Sequence, residues 1–485
     1  MEVIEGSSGP RPAVPIAIVL SSLAVLTLSV VGGLPVKVTA PAVCIVVAIA
    51  ITYRVALRWS SLVAVVIGVI LLVPIRRYTL PVNLPFNLEP YRLIVMFVGV
   101  GWLLSLLVDP RVRARPTGFR GPLFLFALGA FGSIIANPAL VNAVQSHVIK
   151  QLSYFASFLI VLCLIVSVVR THEQVDTIVK VLVGCGAVVA FFALVQARTG
   201  YNVFDHLTRF LPFLRAGYFP ETPLRGGRLR TYGSAQHAIE LGAILVMLAP
   251  LCLYLARRTT QKRWLLIAGL LLLGALATLS RTGMLMILVV VVTFLILRPK
   301  QTRRLWPLLL PLLAAVHIAM PGTLGTFKEA FFPQGGLIKE QSSNPGYVGS
   351  GRLADLGPSL QKLSREPLLG QGFGTRITDG PGANAPILDD QWLSTLVETG
   401  IVGFAAWLWL FFRAIRRFGV AAKSDESDLG WLLVAITSGV AAFMIAMLTF
   451  DAFTFTQVTF VLFIQLALGQ VLLNVKRRRE LEAAA

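Results

Sequence analysis

From Trp264 to Leu297 the chain runs for 34 residues with one charged side chain, Arg281. As a single helix this stretch would be about 51 Å long, well beyond a bilayer core of about 30 Å. It therefore has to cross twice, with the turn at Ser280-Arg281-Thr282-Gly283, where a glycine and two hydroxyls suit a tight reversal. Runs of this kind recur along the chain, which is 56% hydrophobic and 14% charged over 485 residues. That is too little polar surface for a soluble globule, so the expected fold is all-α, a polytopic membrane helix bundle.

Cutting the sequence at its charge clusters leaves fourteen candidate spans, starting near residues 13, 38, 59, 91, 120, 148, 174, 237, 264, 282, 305, 391, 430 and 453. The expectation is thus about 12–14 transmembrane helices. The net charge of +20 is concentrated in short Lys/Arg clusters between apolar runs, the pattern that orients membrane helices, and no nucleic-acid partner is expected. With the amino terminus inside, Arg54/Arg58, Arg111 to Arg120, Arg257 to Arg263, Arg298 to Arg304, Arg413 to Lys423 and Lys476 to Arg479 all face the cytoplasm. Both termini are then cytoplasmic, and the first run, Ala13 to Val31, reads as a helix and not a cleaved signal.

The predicted organisation is amino-terminal helices over 1–197, a basic outer loop over 198–236, and central helices over 237–321. A large outer loop with short amphipathic helices follows over 322–390, and carboxyl-terminal helices with a basic tail complete the chain over 391–485. The four cysteines all lie in apolar runs without a C-x-x-C pair, and no His/Cys/carboxylate cluster has metal-ligand spacing. No metal and no cofactor is expected.

The first outer loop carries Arg198, Arg209, Arg215, Arg225, Arg228 and Arg230 against Asp205 and Glu221, with no lysine. Long loops translocate regardless of charge, so the excess has a bland explanation. The alternative is an anion site, because the planar fork of arginine fits phosphate better than an ammonium does. Arg281 likewise has two readings: it snorkels to the outer headgroups, or it faces an outer cavity and holds a lipid-linked anion. Its place beside two long outer loops favours the second.

In the second loop Leu353, Leu356, Leu360 and Leu363 are spaced as on one helical face, with Pro358 expected to kink it and a glycine-rich turn following at Gly370, Gly372 and Gly374. Asp389 and Asp390 precede the next span. Their pairing at a membrane entry would raise one pKa, as a base requires, although either also suits a helix cap. Glu398, two turns further, is an alternative base or arginine partner, and Asp451 reads as a turn residue.

Four patterns occur in order: RLRTYGSAQH from Arg228 to His237, LSRTG from Leu279 to Gly283, Arg352 ahead of EPLLGQGFG from Glu366 to Gly374, and LDDQWL from Leu388 ahead of ETGIVG from Glu398. In this order and placement, the chain resembles the O-antigen ligase and polysaccharide polymerase superfamily of bacterial membrane proteins. The likeness covers about Arg228 to Phe412, and the first half resembles the family only in being helical.

The resemblance implies a glycosyltransferase that transfers or polymerises a polyprenyl-diphosphate-linked glycan on the outer face of the cytoplasmic membrane. Its partners would be that donor, a glycan or lipid-glycan acceptor, and membrane lipids. It also implies that Arg281 and an arginine of the Arg228/Arg230 pair engage the diphosphate, with Arg352 assisting, and that the chemistry is inverting and metal-independent. The family's ligases carry a histidine where this chain has Asp389, so the chain looks more like the polymerase-type members. His237 stands where many relatives have Asn or His beside a proline, here Ala238. A transporter or flippase for an anionic solute or lipid-linked glycan is the competing class, although the halves show no repeat and the charges gather toward one side.

Overall fold

A computed structural model describes residues 58–81, 88–110, 112–217, 224–225, 227–304, 355–378 and 382–484, with Thr27, Pro307, Ala314 and Ile318 as single positions. The spans expected near residues 13, 38 and 305, and Arg352 with most of the second outer loop, lie outside the described residues. Among the described residues, seven helices are long and apolar enough to cross a membrane: α2 (Pro90–Val108), α5 (Gln145–Val168), α6 (His172–Thr199), α7 (Ala238–Thr259), α12 (Gln391–Lys423), α13 (Asp428–Ala446) and α14 (Thr456–Ala484). Shorter apolar helices are α1 (Trp59–Leu72), α3 (Arg120–Ala136), α8 (Arg263–Ala277) and α9 (Arg281–Leu297). The protein is an all-α, multi-pass membrane bundle.

Short helices α4 (Pro138–Ala143), α10 (Pro299–Arg304) and α11 (Leu356–Arg365) fill connections. Two small antiparallel pairs, β1 (Tyr78–Thr79) with β2 (Arg215–Ala216) and β3 (Leu224–Arg225) with β4 (Arg228–Leu229), are the strands among the described residues. The helix starts agree with eleven of the expected spans, because charge clusters and apolar length mark boundaries without tertiary information.

Helices α7, α13 and α14 are apolar around their whole circumference, and their side chains are buried nearly throughout. They form the centre. Around them α8 and α9 lie against α7, α12 against α13, and α5 against α14. One end of the bundle collects the basic clusters. There Arg258 pairs with Asp176 (3.3 Å) and Asp428 (3.2 Å), Arg298 donates to Ala422 O (2.7 Å), Lys476 to Ser424 Oγ (2.8 Å), and Arg413 to Gly118 O (2.7 Å).

At the opposite end the two glycine-bearing motifs of the carboxyl-terminal half cross. Helix α12 breaks at Gly400, with φ 62° and ψ −163°, and the segment 366–374 inserts into the break. Gln371 N donates to Val397 O (2.8 Å), Gly372 N to Glu398 O (3.1 Å) and Ile401 N to Pro367 O (2.9 Å). The backbone groups freed by the break are thereby satisfied, as irregular backbone at membrane depth demands. A Cβ at Gly400 would overlap the carbonyl of Leu368, and one at Gly370 would stand 2.6 Å from Val397 O. Gly400→Ala is therefore expected to cost more than about 2 kcal/mol, read as a lowered Tm of purified protein in detergent. The glycine-rich turn is a packing device, and Pro358 stands in the first turn of α11 instead of kinking it, because the described helix begins only at Leu356.

Candidate active site

The double crossing forms as its length requires, with α8 ending at Ala277 and α9 beginning at Arg281. Leu279 takes a left-handed φ of 49° in the reversal, and Ser280 caps α9 by accepting from Gly283 N (3.2 Å). The β3–β4 hairpin lies over this turn. Arg225 donates to Leu279 O (2.8 Å), Arg230 Nε to Thr278 O (3.3 Å), and Thr231 N to Ala277 O (3.4 Å).

Three guanidinium groups, Arg225, Arg230 and Arg281, are thus brought to one place beside the amino terminus of α9. Arg230 is only 7% exposed, and its field includes Arg225, Arg281 and the carboxylate of Asp389. Burial first, then the neighbouring cations, push it down to about 9. It remains charged at neutral pH, and planar guanidinium groups of this kind are suited to phosphate. Arg228 stands across the hairpin from Arg225 in register. Of the predicted arginine pair, Arg230 lies within the field of Arg281.

The carboxylates divide their work. Asp390 Oδ1 accepts from Leu393 N (3.0 Å) and caps α12. Asp389 instead acts electrostatically on Arg230 and on Asp451. Asp451 lies in the turn joining α13 to α14. Asp451 Oδ2 accepts from Thr454 Oγ1 (2.8 Å), and burial pushes its carboxyl up while Arg376 pulls it back. It is more than a turn residue. Two positions earlier in the same turn, Thr449 Oγ1 meets Thr282 Oγ1 at 2.9 Å, so this turn adjoins the start of α9.

His237 caps α7, its Nδ1 accepting from Ile239 N (3.2 Å) while the ring stacks on Phe455 at 5.7 Å between centroids. Burial, with Arg230 and Arg225 behind it, pushes the imidazole down to about 3. It is neutral, which suits a cap and not a counter-ion.

Beside this cluster opens a cavity of about 340 Å³, within the size range of small-molecule sites. Arg76, Lys150, Arg376, Glu398 and Asp451 supply its charges, and aromatic rings including Trp407 and Phe453 line the rest. Arg376 is anchored by Ser394 Oγ (2.8 Å) and Pro386 O (2.7 Å), and its charge acts on both Glu398 and Asp451. Glu398 also accepts from Gly374 N (3.4 Å). Arg76, Lys150, Arg225, Arg376 and Asp451 were not singled out as site residues from sequence. The first two belong to the half without family motifs, and none sits in a pattern that distinguishes it from an orienting charge or a loop residue. Among the described residues no three His, Cys, Asp or Glu side chains gather as around a metal.

Fold and site together define a multi-pass membrane protein with a cluster of arginines at the end opposite its basic clusters. Residues 266–408 match the O-antigen ligase family model, a stretch that holds Arg281, Asp389, Asp390 and Glu398. Over that stretch the chain is similar to the O-antigen ligase family. A search of the curated proteins finds no match.

Proposed function

We propose that the protein transfers or polymerises a glycan carried on a polyprenyl diphosphate, at the outer face of the cytoplasmic membrane, by an inverting reaction that needs no metal. The observation that carries this reading is the convergence of Arg225, Arg230 and Arg281 opposite Asp389. The end bearing the basic clusters is cytoplasmic by the positive-inside bias, which turns this centre outward.

In the reaction, an acceptor hydroxyl oxygen attacks the anomeric carbon as its bond to the diphosphate oxygen breaks. The charge that develops on the departing polyprenyl diphosphate falls on Arg230 and Arg281, with Arg225 behind them. Cations already fixed before the reaction stabilise that charge without reorganising. Asp389 takes the hydroxyl proton, and Asp451 keeps it a competent base because two neighbouring carboxylates resist being ionised together.

The two aspartates of the LDDQWL motif separate experimentally. Asp389→Asn is expected to slow transfer by about 10²–10⁴-fold, the usual contribution of a general base. Asp390→Asn keeps an equivalent cap and is expected to cost a few tenths of a kcal/mol with transfer intact. Single-turnover transfer and Tm measured on both variants decide the assignment; loss of transfer in Asp390→Asn alone would reverse it. Glycan analysis of cells lacking the protein tests the function itself. Accumulated single repeat units mark a polymerase, unattached full-length polymer marks a ligase, and an unchanged glycan profile rejects both.

A further inference from the structure

Arg76 is a cation that the donor site does not use. It follows α1 in the connection to β1 and holds φ at 67°, a left-handed conformation that is strained for a non-glycine residue. Its neighbour Arg77 turns its terminal nitrogens into the protein, pairing with Asp205 (2.8 Å), donating to Gly233 O (3.0 Å) and Ala235 O, and stacking over Tyr232 at 4.5 Å. Arg76 lines the cavity instead, with its guanidinium carbon 5.8 Å from the Tyr154 ring centre.

The Nε of Arg76 is buried and has no hydrogen-bond partner among the described residues. Besides Asp451 on the cavity wall, the charges of Glu89 and Glu240 reach it. Both are engaged elsewhere: Glu89 faces Arg92 at 3.8 Å, and Glu240 accepts from the backbone N–H groups of Gln236, Gln457 and Val458. Tyr154 hydrogen-bonds the group elsewhere, but a buried guanidinium nitrogen left without an acceptor is costly, and its retention on a cavity wall in a strained conformation points to a ligand that completes it.

Lys150, from α5, lines the same cavity, while Glu398 and Asp451 supply its negative charge and Trp407 and Phe453 present ring faces. Such a wall offers cations for an anionic group, carboxylates for hydroxyls, and aromatic faces for the apolar side of a sugar ring. Asp451 joins the cavity to the arginine centre, because it lines the first and lies within the field of Asp389.

We propose that this cavity receives a sugar of the acceptor glycan bearing an anionic substituent, a carboxylate or a phosphate, gripped by Arg76 and Lys150. This rests on the glycan-transfer reading and adds the acceptor's chemical class to it. The anion anchors the sugar so that a hydroxyl beside Asp451 faces the donor centre. The amino-terminal half, which carries none of the family motifs, thereby selects the acceptor.

The test uses the purified full-length chain in detergent and measures equilibrium binding. The probes are a glucuronate-containing tetrasaccharide, its carboxyl-reduced counterpart, glucose 6-phosphate, and inorganic pyrophosphate for the donor centre. The acidic tetrasaccharide or the sugar phosphate is expected to bind about tenfold more tightly than the neutral counterpart, the tighter of the two identifying the substituent. Arg76→Gln and the more exposed Lys150→Gln should each abolish that preference and leave pyrophosphate binding unchanged. Equal binding of acidic and neutral probes, or an intact preference in both variants, overturns the proposal. Pyrophosphate binding that survives Arg281→Ala counts instead against the donor reading alone.

Discussion

Arg281→Ala is expected to lower glycan transfer by at least about 10²–10³-fold, the range found when one fixed donor of a charge-stabilising site is removed. The loss should appear in kcat more than in KM, because the negative charge on the diphosphate grows as the anomeric bond breaks. Arg281→Lys is expected to recover only part of it, since an ammonium keeps the charge but not the planar fork. Neither variant should prevent insertion, because the cap at Ser280 and the apolar faces of α8 and α9 do not depend on the guanidinium. Single-turnover transfer with a purified lipid-linked donor measures the effect, and near-normal transfer by Arg281→Ala would remove the arginine from the chemistry.

Glu240→Ala should have the largest effect on stability. The Glu240 side chain is fully buried and accepts from Gln236 N (2.8 Å), Gln457 N (2.8 Å) and Val458 N (3.3 Å), so one carboxylate joins the start of α7 to the start of α14. Its removal leaves three buried donors without an acceptor in the centre of the bundle, a loss of about 3–5 kcal/mol. Glu240→Gln keeps one acceptor oxygen and should lose less. Thermal unfolding in detergent reads both, and an unchanged Tm for Glu240→Ala would refute this role. Because α14 leads directly out of the turn carrying Asp451, the alanine variant should also impair transfer where it still folds.

Much of the architecture was legible from local pattern. The position of the turn before Arg281 followed from length alone, since no single helix accommodates the run from Trp264 to Leu297. The capping reading of Asp390 was available because a cap is a local interaction, settled within three residues. His237 was picked out by the resemblance as a site candidate, but its visible task is local too, as the cap of α7.

The remainder was not legible, and the reasons are specific. Nothing in the EPLLGQGFG segment says that it fills a break in a later helix, because the hydrogen bonds from Gln371 to Val397 and from Ile401 to Pro367 exist only once the two backbones cross. Adjacent Asp389 and Asp390 look alike in sequence, and only the fold shows Asp390 capping α12 while Asp389 reaches Arg230 and, from another turn, Asp451. Arg76 and Arg77 are indistinguishable neighbours in sequence, and only the left-handed backbone at Arg76 puts one on the cavity wall while the other binds Asp205.

Sequence by itself determined that this chain crosses a membrane many times, where most of its helices begin and end, and which loops hold the arginines. Apolar length, charge clusters and capping residues act over one or two helical turns, so their signal survives in one dimension. Tertiary structure alone decided which charges meet. Asp389 reaches Arg230 and Asp451, and Asp451 is reached in turn by Arg76 and Arg376, all from separate parts of the chain, because burial lowers the dielectric between them.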